Sequence, residues 1–302
     1  MTKRKEGAEP LEHHRFGGDW TTTKLEILKH YLRGYTTALK KTPFKTAYID
    51  AFAGTGYRTL RQKDFGESPL YPDLIEAAPQ ALLDGSARMA LQVEPPFNRY
   101  IFVEKSHEHC DQLLQLKEEF PELAKDIRIE EAEANEYIQK LCGKKGWGKH
   151  RAVLFLDPYG MQVEWETIEA VARTKAIDLW VLFPLGIGVN RLLTRSGDIP
   201  ESWKRRLDLL LGTQDWYDEF YKVQSTPTLF GPQETPVKES LETIGRFFNE
   251  RLKTIFAGVA PTPKVLRNSA NCPLYLFCFA VGNKAGAPIA LEIANHLLRK
   301  ID

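Results

Sequence analysis

The sequence predicts an α/β fold with a mostly parallel sheet covered by helices on both faces. Short apolar segments alternate with segments whose apolar residues recur at helical spacing, the pattern of strand–helix–strand units. Segment 152–156 is apolar throughout, as in a central strand buried on both faces. Segments 264–267 and 274–281 are separated by about a turn, which predicts an antiparallel pair at the C-terminal end of the chain.

The composition is that of an ordinary globular protein. The chain has 302 residues, 43% hydrophobic and 27% charged, enough for one large domain or two smaller ones. Lys and Arg number 41 and Asp and Glu number 40, so a charge of +1 argues neither for nor against a nucleic-acid partner. No apolar run is long enough for a transmembrane helix, and the first residues lack the apolar core of a signal peptide. We therefore expect a cytoplasmic protein that does not enter a membrane.

The cysteines predict no metal centre. None of them stands in a C-x-x-C pair, and their spacing matches no zinc or iron–sulfur pattern. Without an export signal, free thiols in a reducing compartment are expected. The four are Cys110, Cys142, Cys272 and Cys278.

A polar arm, residues 1–19, precedes the first predicted helix. Threonines at 21–23 offer capping hydroxyls, and the helix ends near 40–41 with basic residues at its C-terminal end. Its apolar stripe at helical spacing consists of Leu25, Leu28, Leu32 and Tyr35.

The remaining elements follow from short apolar runs and from helical periodicity. The predicted strands are 46–52, 99–104, 127–129, 152–156, 177–183, 264–267 and 274–281. The predicted helices after the first are a segment opening at 85–86, then 107–120, a segment around 137–141, 165–174 and 288–300.

Two segments interrupt this alternation and are predicted to be insertions in a single domain of residues 20–302. Residues 57–84 are rich in Gly, Pro and charge, and are predicted to form a long loop with a short helix over 73–83. Residues 192–256 are predicted to be a helical insertion, broken at Pro227, Gly231, Pro232 and Pro236.

Glycines and carboxylates follow the ends of the first two predicted strands, where ligands bind in open α/β sheets. The first strand ends in D-A-F-A-G-T-G at 50–56, and Gly54 and Gly56 permit a sharp turn and a close backbone approach. Glu104 ends the second strand, and an acidic residue there accepts hydrogen bonds from both ribose hydroxyls of a nucleotide. In a dinucleotide-binding fold this acidic residue lies about 20 residues after the glycines. The longer separation in this chain is explained if residues 57–84 are an insertion. A solvated strand-end carboxylate is the alternative interpretation.

A third polar sequence, D-P-Y-G at 157–160, follows the continuous apolar run at 152–156. Asp and Pro together also form plain turns. In the functional interpretation, Asp157 accepts protons from an exocyclic amine while Tyr159 stacks on a planar substrate.

In this order, the sequences D-A-F-A-G-T-G, F-V-E, E-A-E-A-N and F-L-D-P-Y-G resemble class I S-adenosylmethionine (SAM)-dependent methyltransferases. More narrowly, the chain resembles the three-Cys-motif partner protein family, TcmP. This narrower resemblance runs through most of the chain. The matching stretches are W-T-T-T-K-L at 20–25, Y-I-D-A-F-A-G-T-G at 48–56, G-S-A-R-M-A-L at 85–91, Y-I-F-V-E-K at 100–105, F-L-D-P-Y-G-M at 155–161 and P-L-Y-L-F-C-F-A at 273–280. It implies a Rossmann-like three-layer sandwich with a C-terminal antiparallel hairpin.

The resemblance also implies a cofactor site for SAM. Asp50, Gly54 and Gly56 would line its methionine and ribose side, and Glu104 would hold the ribose hydroxyls. Asp157 would face the transferred methyl group. The residues that complete the implied cofactor set are Ala53, Lys105, Glu133 and Ala134, with Glu133 meeting the adenine amino group and Asn135 beside it.

Lys24 joins this set if the first helix folds over the carboxyl edge of the sheet, where it would meet the cofactor carboxylate. In the alternative interpretation Trp20 is a helix staple and Lys24 is a solvated surface charge. Basic residues near Trp147 and at 204–206 beside Trp203 suit single-stranded nucleic acid, and they also suit polar loops and solvated helix faces.

The leading prediction is a SAM-binding enzyme that transfers a methyl group to a polar acceptor, with nucleic acid as the leading acceptor class and Asp157 and Tyr159 as the catalytic pair. The chain departs from the [DNS]-P-P-[YF] motif of DNA amino-methyltransferases by lacking the second proline. The alternative prediction is a weakly active or inactive partner subunit of a three-Cys-motif protein, which resembles radical-SAM enzymes. A dehydrogenase is disfavoured because Thr59 replaces the third glycine of G-x-G-x-x-G.

Overall fold

A mostly parallel sheet forms the centre of the computed structural model, which describes residues 19–54, 57–58, 83–228 and 231–301. The strands are β1 (Lys45–Asp50), β2 (Tyr57–Arg58), β3 (Leu83–Asp84), β4 (Arg99–Glu104), β5 (Ile127–Glu131), β6 (His150–Leu156), β7 (Ile177–Phe183), β8 (Tyr221–Thr228), β9 (Gly231–Lys238), β10 (Gly258–Val259), β11 (Lys264–Arg267) and β12 (Pro273–Val281). The helices are α1 (Asp19–Leu39), α2 (Ser86–Leu91), α3 (His107–Glu119), α4 (Ala134–Cys142), α5 (Trp165–Arg173), α6 (Asn190–Leu192), α7 (Glu201–Leu211), α8 (Trp216–Phe220), α9 (Leu241–Lys253) and α10 (Ala287–Lys300).

The strand order of the main sheet is β5-β4-β1-β6-β7-β12-β10, and β11 also pairs with β12. The neighbours from β5 to β7 are parallel, whereas β12 runs antiparallel to β7, β10 and β11. The chain moves outward from β1 to β5 and then returns to β6 on the other side of β1. This reversal is the topological switch point, beyond whose carboxyl ends ligands bind in such sheets.

Helices cover both faces of the sheet, so the molecule has three layers. One buried cluster joins α1, α2, α3 and α10 to one face, and a second joins α4, α5, α7 and α9 to the other. Because both faces are covered, every residue of β7 is buried. The predicted fold class is thereby confirmed: a Rossmann-like α/β sandwich with an antiparallel C-terminal pair.

The segment 192–256 contains a feature that its sequence did not predict. It includes α7, α8 and α9, but β8 and β9 form a separate two-stranded antiparallel ribbon between α8 and α9. The prolines Pro227, Pro232 and Pro236, which suggested helix breaks, lie within this ribbon. Proline is tolerated there because an isolated ribbon has an open edge on each strand, where a missing N–H leaves no ladder bond unmade.

Several sequence predictions lie outside the described residues. They concern most of the polar arm 1–19, Gly56, and the inside of the loop 57–84 with its helix 73–83. The described ends of that loop, β2 and β3, pair with each other. In the described part of the chain, none of the helices combines the length and the apolar character that crossing a membrane requires.

Candidate cofactor and acceptor site

A cavity of about 550 Å³ opens at the carboxyl edge of the sheet, beside the ends of β1, β4 and β5. Its volume falls within the usual range of small-molecule sites, about 300–1,000 Å³. Five residues predicted for the site line it: Glu104, Lys105, Glu133, Ala134 and Tyr159. The other lining residues are Ala51, Phe52, Val103, Ala132, Asn135, Glu136, Gln139, Gln162, Glu164 and Arg206.

The Glu104 carboxylate connects the turns that follow β1 and β4. One oxygen accepts a hydrogen bond from the Gly54 N–H at 2.9 Å and the other accepts one from the Ser106 N–H at 2.8 Å. His109 Nδ1 lies 3.7 Å from the second oxygen. A carboxylate has about four lone-pair positions, so two backbone bonds leave capacity for ligand hydroxyls. Glu104 therefore both shapes the cavity and presents acceptors to it.

The turn after β1 is held by its backbone. The Ala51 N–H donates to the Phe155 carbonyl at 3.1 Å and the Ala53 N–H donates to the Val103 carbonyl at 3.0 Å. Gly54 then adopts a φ of +59°, which a side chain would strain. The side chain of Ala53 is buried, and it is Ala51 and Phe52 that line the cavity at this turn.

Glu133 and Asn135 form the wall on the α4 side. Glu133 is the N-cap of α4 and accepts a bond from the Glu136 N–H at 2.9 Å. The Asn135 amide donates to Glu133 and to the Gln162 carbonyl, and its oxygen accepts from the Glu164 N–H at 3.0 Å and from the Thr167 hydroxyl at 2.8 Å. Asn135 thus ties α4 to the segment that follows D-P-Y-G.

Asp50 lies beneath the site and does not line it. Its side chain has no exposed surface, and it accepts bonds from the Tyr48 hydroxyl and the Phe52 N–H, both at 3.3 Å. Burial raises the pKa of Asp50 to about 7; a hydrogen bond from Ser86 opposes the shift and the charge of Asp157 adds to it. The resemblance implied that Asp50 lines the cofactor site, whereas in this structure Asp50 lies outside the cavity lining.

Lys24 reaches the carboxyl edge of the sheet from α1, as one of the two interpretations predicted. It is 5% exposed and its ammonium forms an ion pair with Asp157. The ammonium also lies 5.1 Å from the centre of the Trp20 ring and 5.9 Å from that of Phe155. Lys24 is therefore not a solvated surface charge: Asp157 is its ionic partner.

Tyr159 projects into solvent beside the turn after β1. It is 71% exposed, and its hydroxyl lies 3.7 Å from the position that a Cβ on Gly54 would occupy. Arg206 on α7 also lines the cavity and is exposed. An exposed aromatic ring and a guanidinium group therefore line the same cavity.

Sequence reasoning missed Arg206, Gln139 and Gln162 as members of this site. Arg206 belongs to the basic run 204–206, but only tertiary packing brings α7 to the cavity. Gln139 lies within α4 and donates to the Thr167 hydroxyl at 3.0 Å, a contact without a local signal. Within the described ranges, no group of three or more His, Cys, Asp or Glu side chains has an arrangement that would hold a metal ion.

No family model matches the chain, and no curated protein matches it either. Among solved structures, a protein from Legionella pneumophila is 12% identical, with 92% of each chain covered and a TM-score of 0.44. A protein described as an rRNA methylase from Clostridium thermocellum is 11% identical over 83% of this chain and 97% of that one, with a TM-score of 0.33. The magnesium protoporphyrin IX methyltransferase of Synechocystis, solved with bound SAM, is 11% identical over 74% of this chain and 80% of that one, with a TM-score of 0.29.

Likeness at these identities and TM-scores carries no functional argument. Membership of the three-Cys-motif partner family therefore stays a prediction. The inference about function rests on the cavity and on the residues around it.

Proposed function

We propose that this protein binds SAM at the carboxyl edge of its sheet and transfers the methyl group to a polar acceptor. The observation that carries the proposal is the cavity, in which Glu104 is held by two backbone amides beside the ends of β1 and β4. This is the place where a ribose is bound in sheets of this topology.

The charges that line the cavity support SAM over a dinucleotide. Four carboxylates line it, whereas the lining cations are Lys105 and Arg206. Such a surface favours a ligand with positive charge, and SAM carries a sulfonium and an ammonium group. A pyrophosphate would instead be repelled by these carboxylates, although the N-terminus of α4 also lines the cavity. The carboxylates are Glu104, Glu133, Glu136 and Glu164.

The residues around the cavity fit the two ends of such a cofactor. Glu104 offers acceptors for the ribose hydroxyls, and Glu133, with Ala134 beside it, offers a carboxylate for the adenine amino group. Ala51 and Val103 add small apolar side chains to the lining. Ala53 lies in the turn after β1, and Lys105 lies in the turn after β4.

In this proposal the bound cofactor supplies an electrophilic methyl group, so the protein mainly has to align the acceptor. Asp157, at the end of β6, orients the attacking nucleophile and takes up its proton. Tyr159 stacks against a planar acceptor, because its exposed ring stands beside the cavity. Arg206 offers a positive group to a phosphate. These features favour nucleic acid as the acceptor.

A second candidate function is that of a partner subunit for a three-Cys-motif protein, with weak or no catalysis. The ribbon of β8 and β9 supports it, because Val223 is 68% exposed and Val237 is 43% exposed. An isolated two-stranded ribbon is marginally stable in water and gains from a partner. Co-purification of this chain with such a protein, lost when the ribbon is shortened, would favour this candidate.

Calorimetric titration tests the proposed cofactor. We expect SAM and S-adenosylhomocysteine to bind, NADH to fail, and Glu104→Gln to weaken SAM binding about tenfold, because one carboxylate acceptor becomes an amide donor. Glu131→Gln is the matched control: Glu131 is the register partner of Glu104 on β5, but it is exposed and does not line the cavity. Equal losses in both variants, or no binding by the wild type, would reject the cavity as a SAM site.

A further inference from the structure

Four segments at the amino edge of the sheet, opposite the cavity, form a strongly basic surface. Segments 40–45, 143–151 and 174–176 lie at the starts of β1, β6 and β7, and segment 282–286 follows the end of β12. We call the four segments together the basic edge. They hold nine cations and no carboxylate, although the whole chain has 41 cationic and 40 anionic residues, so positive charge is concentrated here. The cations are Lys40, Lys41, Lys45, Lys144, Lys145, Lys149, Arg151, Lys175 and Lys284.

Contacts between neighbouring segments make the basic edge one continuous surface. β1 and β6 pair from their first residues onward. The Ala152 N–H donates to the Ala176 carbonyl at 3.0 Å, and the Asn283 amide donates to the Lys175 carbonyl at 3.3 Å. Neighbouring strands lie about 4.8 Å apart, so the four strand ends alone span about 14 Å.

The lysines of the basic edge carry charge that the fold does not neutralise. All eight are exposed, and none of them forms an ion pair with a residue that the structure describes. α1, α4 and α5 end at this edge, but each helix C-terminus carries only about half a negative charge. Asp178, which follows the third segment, is buried and bonds to Tyr31. Such a surface attracts a polyanion.

The aromatic side chains of the basic edge favour a duplex over a single strand. Trp147 is half-buried and donates from Nε1 to the Cys142 carbonyl at 3.2 Å. Phe44 is also half-buried, with the Arg151 guanidinium 3.8 Å from its ring centre. Single-strand binding relies on aromatic rings that are accessible to bases, and these two rings are engaged within the fold.

The basic edge also lacks the apolar side chains with which proteins insert into a membrane surface. The large apolar side chains that are exposed in the described part of the chain all lie outside its four segments. A surface with lysines and without such an anchor fits a phosphate backbone better than a lipid bilayer.

We propose that the basic edge binds the phosphate backbone of a nucleic-acid duplex without reading its sequence. Lysine ammonium groups contact phosphates as point charges, and such contacts carry no sequence information. The proposal goes beyond the proposed function and does not depend on it. β1 starts at the basic edge and ends beside the cavity, and its six residues separate the two by roughly 20 Å. The two sites can therefore be tested separately.

Fluorescence anisotropy without SAM tests the proposal, with a labelled DNA duplex of about 20 base pairs and salt from about 50 to about 200 mM. We expect the affinity of the wild type to fall steeply with salt, because bound lysines release counterions from the duplex. The test variant combines Lys41→Gln, Lys145→Gln and Lys175→Gln, one lysine from each of three segments. It should bind at least about tenfold more weakly at about 100 mM salt, and its slope of log affinity against log salt should be shallower by about 3.

A control variant removes the same total charge from exposed lysines outside the basic edge, through Lys29→Gln, Lys222→Gln and Lys300→Gln. It should bind the duplex like the wild type. Both variants should unfold in urea at the wild-type midpoint, because the replaced side chains are exposed. Equal losses of affinity in the two variants would mean a response to net charge alone and would overturn the proposal.

The remaining outcomes also decide the proposal. An RNA duplex of the same length shows which nucleic acid is preferred, and tight binding of either duplex supports the proposal. It is overturned if the wild type binds neither duplex, if it binds a single strand more tightly, or if it binds only vesicles of anionic lipid. SAM should bind the test variant and the wild type equally, because none of the three lysines lines the cavity. If SAM does not bind the wild type and the duplex results are as expected, the proposed function is wrong and the basic edge stands.

Discussion

Replacing Asp178 with asparagine should change how the stability of the fold depends on pH. Asp178 lies at the start of β7, is 6% exposed, and accepts bonds from the Tyr31 hydroxyl at 2.8 Å and the Gly282 N–H at 3.3 Å. Burial raises the pKa of this carboxyl from 3.8 to about 7, although these two hydrogen bonds and the charge of Arg151 act in the opposite direction. Asparagine has nearly the same shape and cannot ionise.

The size of the effect follows from the pKa shift. A shift of about 3 units is worth about 4 kcal/mol, because each unit corresponds to about 1.4 kcal/mol. Between the two pKa values the folded state keeps a proton that the unfolded state has released, so this contribution is fully present below about pH 4 and is lost as the pH rises to about 7. Asparagine does not titrate, so the variant does not lose this contribution. The free energy of unfolding of the variant should therefore increase relative to that of the wild type as the pH rises.

Urea unfolding of both proteins across this pH range measures the difference. Between about pH 4.5 and pH 7.5 we expect the variant to gain about 3 kcal/mol relative to the wild type. Asp50, whose pKa is also raised to about 7, is present in both proteins and cancels. Asp218→Asn, at an exposed aspartate, is the control and should give a nearly constant difference. A constant difference for Asp178→Asn as well would refute the reasoning.

Further predictions concern packing and the cavity wall. Gly212→Ala should cost about 3 kcal/mol, because a Cβ there would lie 2.0 Å from the Trp165 ring at a φ of +67°. Gly146→Ala, at a φ of +111° with open space, should cost only about 1 kcal/mol, and chemical denaturation compares the two. Asn135→Ala should cost about 3 kcal/mol, because the part-buried Glu164 N–H and the buried Thr167 hydroxyl lose the oxygen to which they donate. It should also weaken SAM binding in calorimetry, and an unchanged affinity would contradict the role given to this wall.

The strands of the main sheet were largely predictable, because a strand buried on both faces leaves a continuous apolar run. The boundaries of β4 and β7 agree with the prediction for this reason. The ribbon of β8 and β9 was not predicted, since most of its described side chains are exposed and it has no alternating apolar pattern. β10, with two residues, is too short to produce a pattern.

The site was predictable where it depends on strand ends and not where it depends on packing between elements. Glu104 and Tyr159 follow strands, so topology alone brings them to one edge. The burial of Asp50 depends on how Tyr48 packs below it, and the position of Arg206 depends on where α7 docks. Neither leaves a local signal in the sequence.

Helix α1 is locked in register along the sheet by two polar contacts. Lys24 pairs with Asp157 just beyond β6, and Tyr31 bonds to Asp178 near the start of β7. The two α1 residues are seven positions apart, which is close to two helical turns, so both project from one face. One residue inserted between them would rotate one contact by about 100° relative to the other. We therefore expect length changes between these two anchors of α1 to be excluded during evolution or engineering.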